Sequence, residues 1–262
     1  MLCYPDRRSA LRAGAAVAAG ALTAACGASG RTDPAPTAPT SAAAPSPAKA
    51  PAVAPAPHRF PGQPVEIGHG PRDRPRVALT FHGNGDPATA RAILAEAEKG
   101  GARVTVLAIG GWLDAHPEMA RRILDGGHEL GNHTQRHLAV NTMPEAEAYA
   151  EITQCAQRLK RLTGSIGSWF RPSQTRYATP LVRTLAQRAG YPHVLSYDVD
   201  SLDFTSPGAA AVIRTVTGTI RSGSVVSLHF GYADTVAAMP PLLEELARRK
   251  LRAVTTTELL TP

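Results

Sequence analysis

From about residue 66 onwards, short apolar runs alternate with longer stretches in which apolar residues recur every three to four positions. The short runs predict buried strands, and the longer stretches predict amphipathic helices. Seven strands are predicted, at 77–81, 104–109, 128–130, 169–170, 193–199, 224–228 and 253–254. Helices are predicted at 87–99, 117–124, 144–162, 179–189, 207–220 and 235–250, with a last turn at 257–260. Repeated strand–helix units favour a parallel sheet covered by helices, which is an α/β fold.

The N-terminal residues follow a different pattern, typical of an export signal. Arg7, Arg8 and Arg12 precede an apolar stretch at 13–24, and the adjacent arginines resemble a twin-arginine signal. Small residues then lead to Cys26, as in a bacterial lipobox, which predicts a lipidated cysteine that tethers the protein to the outer face of the membrane. The alternative is ordinary cleavage with an incidental cysteine.

Composition and charge divide the chain at the same point. Residues 27–65 are rich in Ala, Pro, Ser and Thr, which predicts a disordered linker between a signal at 1–26 and a folded domain at 66–262. Residues 1–65 carry +4 of the net charge of +7, so the folded domain is only mildly basic. It has no basic stripe with interleaved aromatic residues, and nucleic acid is therefore not an expected partner.

Polar side chains follow the predicted strands at the point where each strand ends. They are His82, His133, Arg171, Asp200 and His229. In barrels of parallel strands, the carboxyl ends of the strands form the active face. These five residues are therefore predicted to share one site.

The spacing of His133 and His137 adds a candidate metal site. If both residues lie on the first turn of a helix, their imidazoles share one face and can bind one metal ion. Three cysteines without a Cys-x-x-Cys pair exclude a cysteine-based zinc site and a framework of several disulfides.

Four segments resemble the polysaccharide deacetylase family. Residues 127–137 read Gly-His-Glu-Leu-Gly-Asn-His-Thr-Gln-Arg-His, which is similar to the family's second motif, His-Ser/Thr-x-x-His. Residues 171–173, Arg-Pro-Ser, are similar to the third motif, Arg-Pro-Pro, and residues 200–204, Asp-Ser-Leu-Asp-Phe, to the fourth, Asp-x-x-Asp-Trp. Leu-His at 228–229 is similar to the fifth motif. The resemblance implies an irregular (β/α) barrel of about seven parallel strands over residues 66–262.

The resemblance also implies roles for these residues. Arg171 would orient the catalytic base, and a carboxylate of the fourth motif, assigned to Asp200, would orient and charge the catalytic histidine. His229 would be the general acid that protonates the leaving amine. His133 and His137 would bind a divalent metal, expected to be zinc.

The first motif departs from the family pattern. The family has Thr-Phe-Asp-Asp-Gly-Pro, whose aspartates are the base and a metal ligand, whereas residues 80–87 read Thr-Phe-His-Gly-Asn-Gly-Asp-Pro. Without gaps, His82 takes the place of the base and Gly83 that of the ligand. The preferred prediction is that Asp86 folds back as the ligand, although Asp-Pro is also typical of a helix N-cap. His82 could instead bind the metal in a three-histidine site, or the metal could be lost.

These observations predict a metal-dependent hydrolase that removes N-acetyl groups from an N-acetylglucosamine polymer at the cell surface. The protein is expected to be a monomer. The first alternative is an inactive barrel of the same family that binds glycan. The second is a hydrolase that acts on a smaller amide or ester, since a fold does not determine a reaction.

Overall fold

The computed structural model describes residues 53–262, which form eight short strands and eight α-helices. The strands are β1 Glu66–Ile67, β2 Arg76–Gly83, β3 Thr105–Ala108, β4 Glu129–Asn132, β5 Val194–Leu195, β6 Val199–Asp200, β7 Val225–His229 and β8 Arg252–Ala253. The helices are α1 Pro87–Lys99, α2 Gly110–Ala115, α3 Glu118–Asp125, α4 Glu145–Thr163, α5 Pro180–Arg188, α6 Ala209–Thr219, α7 Ala233–Arg248 and α8 Thr256–Leu260.

The strands pair in parallel and curve into an irregular barrel. Five strands follow the order β4-β3-β2-β7-β6, β8 pairs with the start of β2, and β1 pairs with β5. Single parallel bridges from Phe170 to Asn132 and to Val194 link β4 towards β5. The predicted α/β barrel of parallel strands is confirmed. Residues 169–170 supply bridges rather than a strand, 193–199 divides into β5 and β6, and β1 was not predicted.

Alternation along β2 separates the two layers of the core. Val77, Leu79 and Phe81 pack among the helices, whereas Ala78 belongs to the cluster inside the barrel. Because successive side chains of a strand point to opposite faces, His82 lies on the same face as Ala78, inside the barrel. Its place near the end of β2 puts it at the mouth of the barrel.

The predicted helices match the observed ones closely. Helix α1 has the predicted bounds, and α3 to α7 each begin and end within two residues of the prediction. Helix α2 was not predicted because it begins with two glycines, which are poor helix formers. No helix within residues 53–262 is long and apolar enough to cross a membrane.

The folded part begins before residue 66. Phe60 is buried and stacks on Trp169 with 5.5 Å between ring centroids. The Phe60 amide donates to His193 Nε2 at 3.0 Å, and the Val194 amide donates to the Val65 carbonyl at 2.7 Å. Part of the predicted linker therefore packs on the barrel, through the Phe60 ring and the hydrogen bonds of its backbone. The predicted signal, Cys26 and the rest of the linker lie outside the described residues.

Candidate active site

Parallel pairing brings two histidines together at the mouth of the barrel. His82 of β2 lies opposite His229 of β7, and their ring centroids are 4.4 Å apart. His133 follows β4 directly, and its ring centroid is also 4.4 Å from that of His82. Strand ends that are far apart in the sequence thus converge on one site, as predicted from the polar residues that follow the strands.

Three imidazoles form a cluster suited to one metal ion. His82, His133 and His137 each offer a nitrogen, and these nitrogens lie within 4.8 Å of one another. Three histidine ligands with a fourth position open for water is an arrangement that zinc accepts in catalytic sites.

His133 and His137 do not lie on a helical turn, so the predicted reason for their proximity was wrong. Residues 133–139 are loop, and both Thr134 (φ 66°) and His137 (φ 59°) have left-handed backbone. The Asn132 side chain accepts from the Thr134 amide at 2.8 Å, and Gln174 donates to the His137 carbonyl at 2.7 Å. The loop, held by these contacts, returns His137 to the cluster.

The hydrogen bond of His133 prepares its other nitrogen for a metal. Nδ1 lies 3.0 Å from the Arg171 carbonyl oxygen, which can only accept, so Nδ1 carries the proton. Nε2 therefore presents a lone pair, and it is buried without a hydrogen-bond partner in residues 53–262. A buried polar atom without a partner is costly unless something binds it. The donor set and this unpartnered nitrogen fit a divalent metal.

The pKa values of the three histidines favour the neutral form that a metal ligand needs. Burial, followed by the nearby His133 and His229, lowers the pKa of His82 well below its ordinary value. Burial, followed by His137, has the same effect on the pKa of His133. Burial and then His229 lower the pKa of His137.

Asp86 does not reach the cluster. It is the N-cap of α1, where Oδ1 accepts from the Ala88 amide at 3.0 Å, and its side chain is exposed. Trp112 Nε1 donates to the Gly85 carbonyl at 2.8 Å and holds the loop before Asp86 against α2. The prediction that Asp86 folds back as a metal ligand does not agree with this geometry; the alternative N-cap role does.

Gly83 stands where the family motif has its ligand aspartate, but the backbone leaves no room for a side chain. A Cβ at Gly83 would lie 2.9 Å from the Ala108 Cα and 2.9 Å from Val106 Cγ1. Its φ is not in the left-handed region, so close packing rather than backbone conformation requires glycine here.

Asp203, not Asp200, is the carboxylate that orients His229. Asp203 is fully buried, and its Oδ1 lies 2.6 Å from His229 Nδ1. Its Oδ2 accepts from the His229 amide at 2.8 Å and from Thr235 Oγ1 at 2.6 Å. Leu202 has left-handed backbone (φ 56°), which turns the chain so that Asp203 faces β7. With Nδ1 occupied by Asp203, Nε2 is the nitrogen of His229 that remains for a substrate.

Asp200 lies elsewhere in the site. It accepts from the Leu202 amide at 3.1 Å and from the Tyr197 hydroxyl at 3.4 Å. The assignment of Asp200 as the partner of His229 was therefore wrong. The fourth motif contains two aspartates, and the backbone conformation between them decides which one contacts the histidine. Asp198, two residues before Asp200, accepts a hydrogen bond from the Arg72 guanidinium at 2.8 Å and has a structural role.

Arg171 is buried beneath the histidines and meets no carboxylate within residues 53–262. Its Nε and Nη2 donate to the carbonyls of Leu195 and Ser196, both at 3.1 Å, while Nη1 is buried without a partner. Burial lowers the pKa of Arg171 to about 10, so it is a cation at neutral pH. After burial and the nearby His133 and His229, its charge also contributes to the lowered pKa of His82.

Two cavities open on either side of the histidines and share His82, His137 and His229. The larger, which we name the Tyr197 cleft, has about 450 Å³ and is also lined by Gln174, Thr175, Arg176, Tyr197, Asp200, Phe204 and Ser227. The smaller has about 290 Å³ and is also lined by Asn84, Gly85, Ile109, Gly231 and Tyr232. Two of the three candidate metal ligands, His82 and His137, thus line both cavities.

Comparison with known proteins agrees with this arrangement. Residues 69–194 match the model of the polysaccharide deacetylase family. A peptidoglycan-N-acetylglucosamine deacetylase of Bacillus cereus is 31% identical over 194 residues, which cover 72% of this chain and 90% of the relative. The chain belongs to the polysaccharide deacetylase family. Another relative, a chitooligosaccharide deacetylase of Bradyrhizobium, is 28% identical over 66% of this chain and 85% of its own length.

Solved structures of the family share the fold. A pseudoenzyme of carbohydrate esterase family 4 from Bacillus anthracis superposes with a TM-score of 0.72, at 22% identity over 76% of this chain and 70% of that chain. A likeness at this identity supports the barrel architecture and carries nothing about the reaction.

Proposed function

We propose that this protein is a metal-dependent deacetylase that removes N-acetyl groups from an N-acetylglucosamine-containing glycan. The observation that carries the proposal is the unpartnered, lone-pair-bearing Nε2 of His133 beside two further imidazoles, facing a His229 that is backed by a buried carboxylate. The two named relatives above act on N-acetylated glycans according to their names. The proposed metal is zinc.

His82, His133 and His137 would hold the metal. A divalent cation bound there supplies polarisation of the acetamide carbonyl and activation of water at neutral pH. The hydrogen bond from Nδ1 to the Arg171 carbonyl holds the His133 imidazole in position. The bonds of Asn132 and Gln174 to the Thr134 amide and the His137 carbonyl hold the backbone of the loop that carries His137.

His229 provides the proton that the leaving group needs. Asp203 accepts from Nδ1–H and stabilises the imidazolium form, so that Nε2 can donate to the nitrogen of the amide. As the carbon–nitrogen bond breaks, the sugar leaves as a free amine and the acetyl group leaves as acetate with the oxygen of water.

The proton of the attacking water requires a base. If His82 binds the metal, neutral His229 can accept this proton at Nε2 and then deliver it to the leaving amine; if His82 does not bind the metal, it is the group placed to accept the proton. Burial, followed by the nearby His133 and His229 and then by Arg171, lowers the pKa of His82 and keeps it unprotonated. His82→Ala separates the two roles. Loss of the metal indicates a ligand, whereas a turnover lowered by about 100-fold or more with the metal retained indicates the base.

A second candidate function is a barrel that binds glycan without turnover. It is favoured by the first motif, in which His82 and Gly83 replace the family's aspartate pair. A side chain does not fit at Gly83, so the second aspartate has no counterpart there.

One experiment separates the two candidates. The full chain is analysed for metal with and without chelator, and acetate release from N-acetylglucosamine oligomers is measured in parallel. The deacetylase proposal expects acetate release that depends on the metal and falls by about 10²–10⁴-fold in Asp203→Asn. Glycan binding without acetate release at any metal loading would replace it with the second candidate.

We further propose that the protein is exported and tethered to the outer face of the membrane through a lipidated Cys26. A spacer between that anchor and the barrel would let the site reach a glycan of the cell wall. Cys26→Ser is expected to release the protein into the medium or to leave it unprocessed. Partition of the wild type wholly into the aqueous phase after detergent separation would contradict the anchor.

A further inference from the structure

The guanidinium of Arg176, which is bonded at Nε and has free Nη groups within residues 53–262, lines the Tyr197 cleft. Arg176 donates from Nε to the Tyr197 carbonyl at 3.0 Å, and its guanidinium carbon lies 5.2 Å from the centroid of the Tyr197 ring and 5.1 Å from that of Tyr177. Its backbone is held as well, because Ser196 Oγ donates to the Arg176 carbonyl at 2.8 Å. Both Nη groups remain without a hydrogen-bond or ion-pair partner in residues 53–262.

The charges around this cleft leave a positive excess on that side. Asp200 is the carboxylate that lines the cleft, and it forms no ion pair within the described part of the chain. The buried Arg171 lies against the Tyr197 ring at 5.3 Å, and its charge acts on Asp200. Two guanidinium groups therefore accompany one carboxylate, and the one exposed to the cleft is Arg176.

The form of Arg176 suits one kind of ligand group. A guanidinium fixed at Nε presents its Nη groups as a planar fork, which matches the two oxygens of a carboxylate. The cleft volume of about 450 Å³ lies in the range of small-molecule pockets, about 300–1,000 Å³. An acetamido sugar whose acetyl group faces the histidines would thus place its neighbouring substituents or the next sugar within the cleft.

We propose that Arg176 binds a carboxylate carried by the glycan, so that the preferred substrate is an acidic N-acetylated glycan rather than a neutral one. This inference rests on the proposed binding of N-acetylated glycan at the site. Arg176 is a specificity-determining residue in this proposal, and the acid–base chemistry does not depend on it.

The test uses two glycans that differ only in charge. One is an N-acetylglucosamine oligomer that carries a carboxyethyl ether on the sugar, and the other is the same oligomer with that carboxylate converted to its amide. The full chain, loaded with zinc, is titrated with each glycan by calorimetry, and acetate release gives kcat and KM for each.

The wild type is expected to bind the carboxylate form about tenfold or more tightly than the amide form. Arg176→Gln is expected to abolish this preference by raising KM for the carboxylate form, with kcat changed less than about twofold. Arg176→Lys keeps the charge but not the fork and should restore part of the preference. The matched control is Arg214→Gln, which removes the same charge from an exposed position on α6 and should keep the full preference.

A purely structural Arg176, which only packs between two tyrosines, would alter the melting temperature of Arg176→Gln but not its discrimination between the two glycans. Equal affinity of the wild type for both forms, a preference that survives in Arg176→Gln, or no binding of either glycan would overturn the inference. Equal and rapid acetate release from both forms would overturn it while leaving the deacetylase function standing. A binding preference that is lost in Arg176→Gln, in the absence of any acetate release, would support the inference and contradict the deacetylase function.

Discussion

The two ends of strand β4 bury polar side chains in opposite ways. At its start, the Glu129 carboxylate is 3% exposed, and both oxygens have partners, namely Thr105 Oγ1 at 3.0 Å, the Thr257 amide at 3.2 Å and the Thr257 hydroxyl. Just past its other end, His133 is fully buried, and its Nε2 has no partner within residues 53–262.

This difference separates a structural polar group from a functional one. Buried polar atoms in native proteins are nearly always hydrogen-bonded, and an exception requires an explanation. Glu129 joins the barrel to the start of α8 and needs no ligand, whereas His133 is positioned by one nitrogen and left open at the other. Both side chains are buried at the ends of the same strand, so the hydrogen-bond partners of each are the informative observation.

The largest effect is expected at His133, just past the end of β4. His133→Ala removes the buried nitrogen that we assign to the metal, and the affinity for zinc should fall by more than about 100-fold. Isothermal titration with zinc measures the affinity, and circular dichroism checks that the barrel remains folded.

The matched control is His128→Ala, at the residue directly before β4. His128 is also buried, but its Nδ1 accepts from the Val104 amide at 3.2 Å and its Nε2 lies 3.1 Å from Glu98. This variant should lose stability and keep the zinc. If both variants bind zinc as the wild type does, the assignment of the metal site is wrong.

The next largest effect is expected at Glu129, the first residue of β4. Glu129→Ala leaves the Thr105 hydroxyl and the Thr257 amide without their acceptor, and the free energy of unfolding should fall by about 3 kcal/mol. Glu129→Gln is the control because its carbonyl oxygen can accept from the same two groups while its amide donates to the Thr257 hydroxyl. Zinc affinity should be unchanged in both. A zinc affinity that falls with stability would break the division between the two ends.

The same pair of proteins predicts a pH dependence. Burial raises the pKa of Glu129 in the folded protein. An acid whose folded pKa lies above its unfolded pKa, about 4.3 for Glu, contributes its full stability below that unfolded value and loses it as the pH rises through the folded pKa. The wild type should therefore lose stability relative to Glu129→Gln as the pH rises from about 4 through the folded pKa of Glu129. Urea unfolding across this range measures the difference, and a constant difference would contradict the prediction.

A smaller effect is expected at Gly83, the last residue of β2. In Gly83→Ala the new methyl group meets the Ala108 backbone at 2.9 Å, and the free energy of unfolding should fall by about 2 kcal/mol. In the control, Gly218→Ala, the added Cβ on α6 meets nothing within 4 Å, and stability should rise by about 0.5–1 kcal/mol. Unchanged stability of Gly83→Ala would mean that the strand can make room, and His82→Asp with Gly83→Asp could then rebuild the family's aspartate pair.

The parts of the site that the sequence predicts well are those that depend on strand ends. His82, His133 and His229 each follow a recognisable apolar strand, and parallel pairing alone brings such ends together. Helix bounds are equally predictable, as α1 shows, because periodicity, the Asp-Pro start and the glycine end coincide. The burial of Phe60 was missed because an isolated aromatic in a proline-rich stretch carries no periodic signal.

The parts that the sequence does not predict depend on single backbone conformations in loops. Left-handed backbone at Thr134 and His137 closes the metal cluster without a helix, and left-handed backbone at Leu202 decides that Asp203 rather than Asp200 meets His229. None of these three residues is a glycine, so composition gives no sign of the turn. Motif spacing therefore identifies the segments that form the site, whereas the loop conformation determines which residue of each segment makes the contact.

The smallest expected effect tests the residue for which two roles were open. Asp86 caps α1 through one hydrogen bond to the Ala88 amide, so Asp86→Ala should lower the free energy of unfolding by about 1 kcal/mol and leave zinc affinity unchanged. Asp86→Asn retains an N-cap acceptor and should have nearly wild-type stability. Urea unfolding and zinc titration of the two variants are compared side by side. If Asp86 moved to the cluster when zinc binds, both variants would lose zinc affinity, and the assignment of the third ligand to His82 would have to be given up.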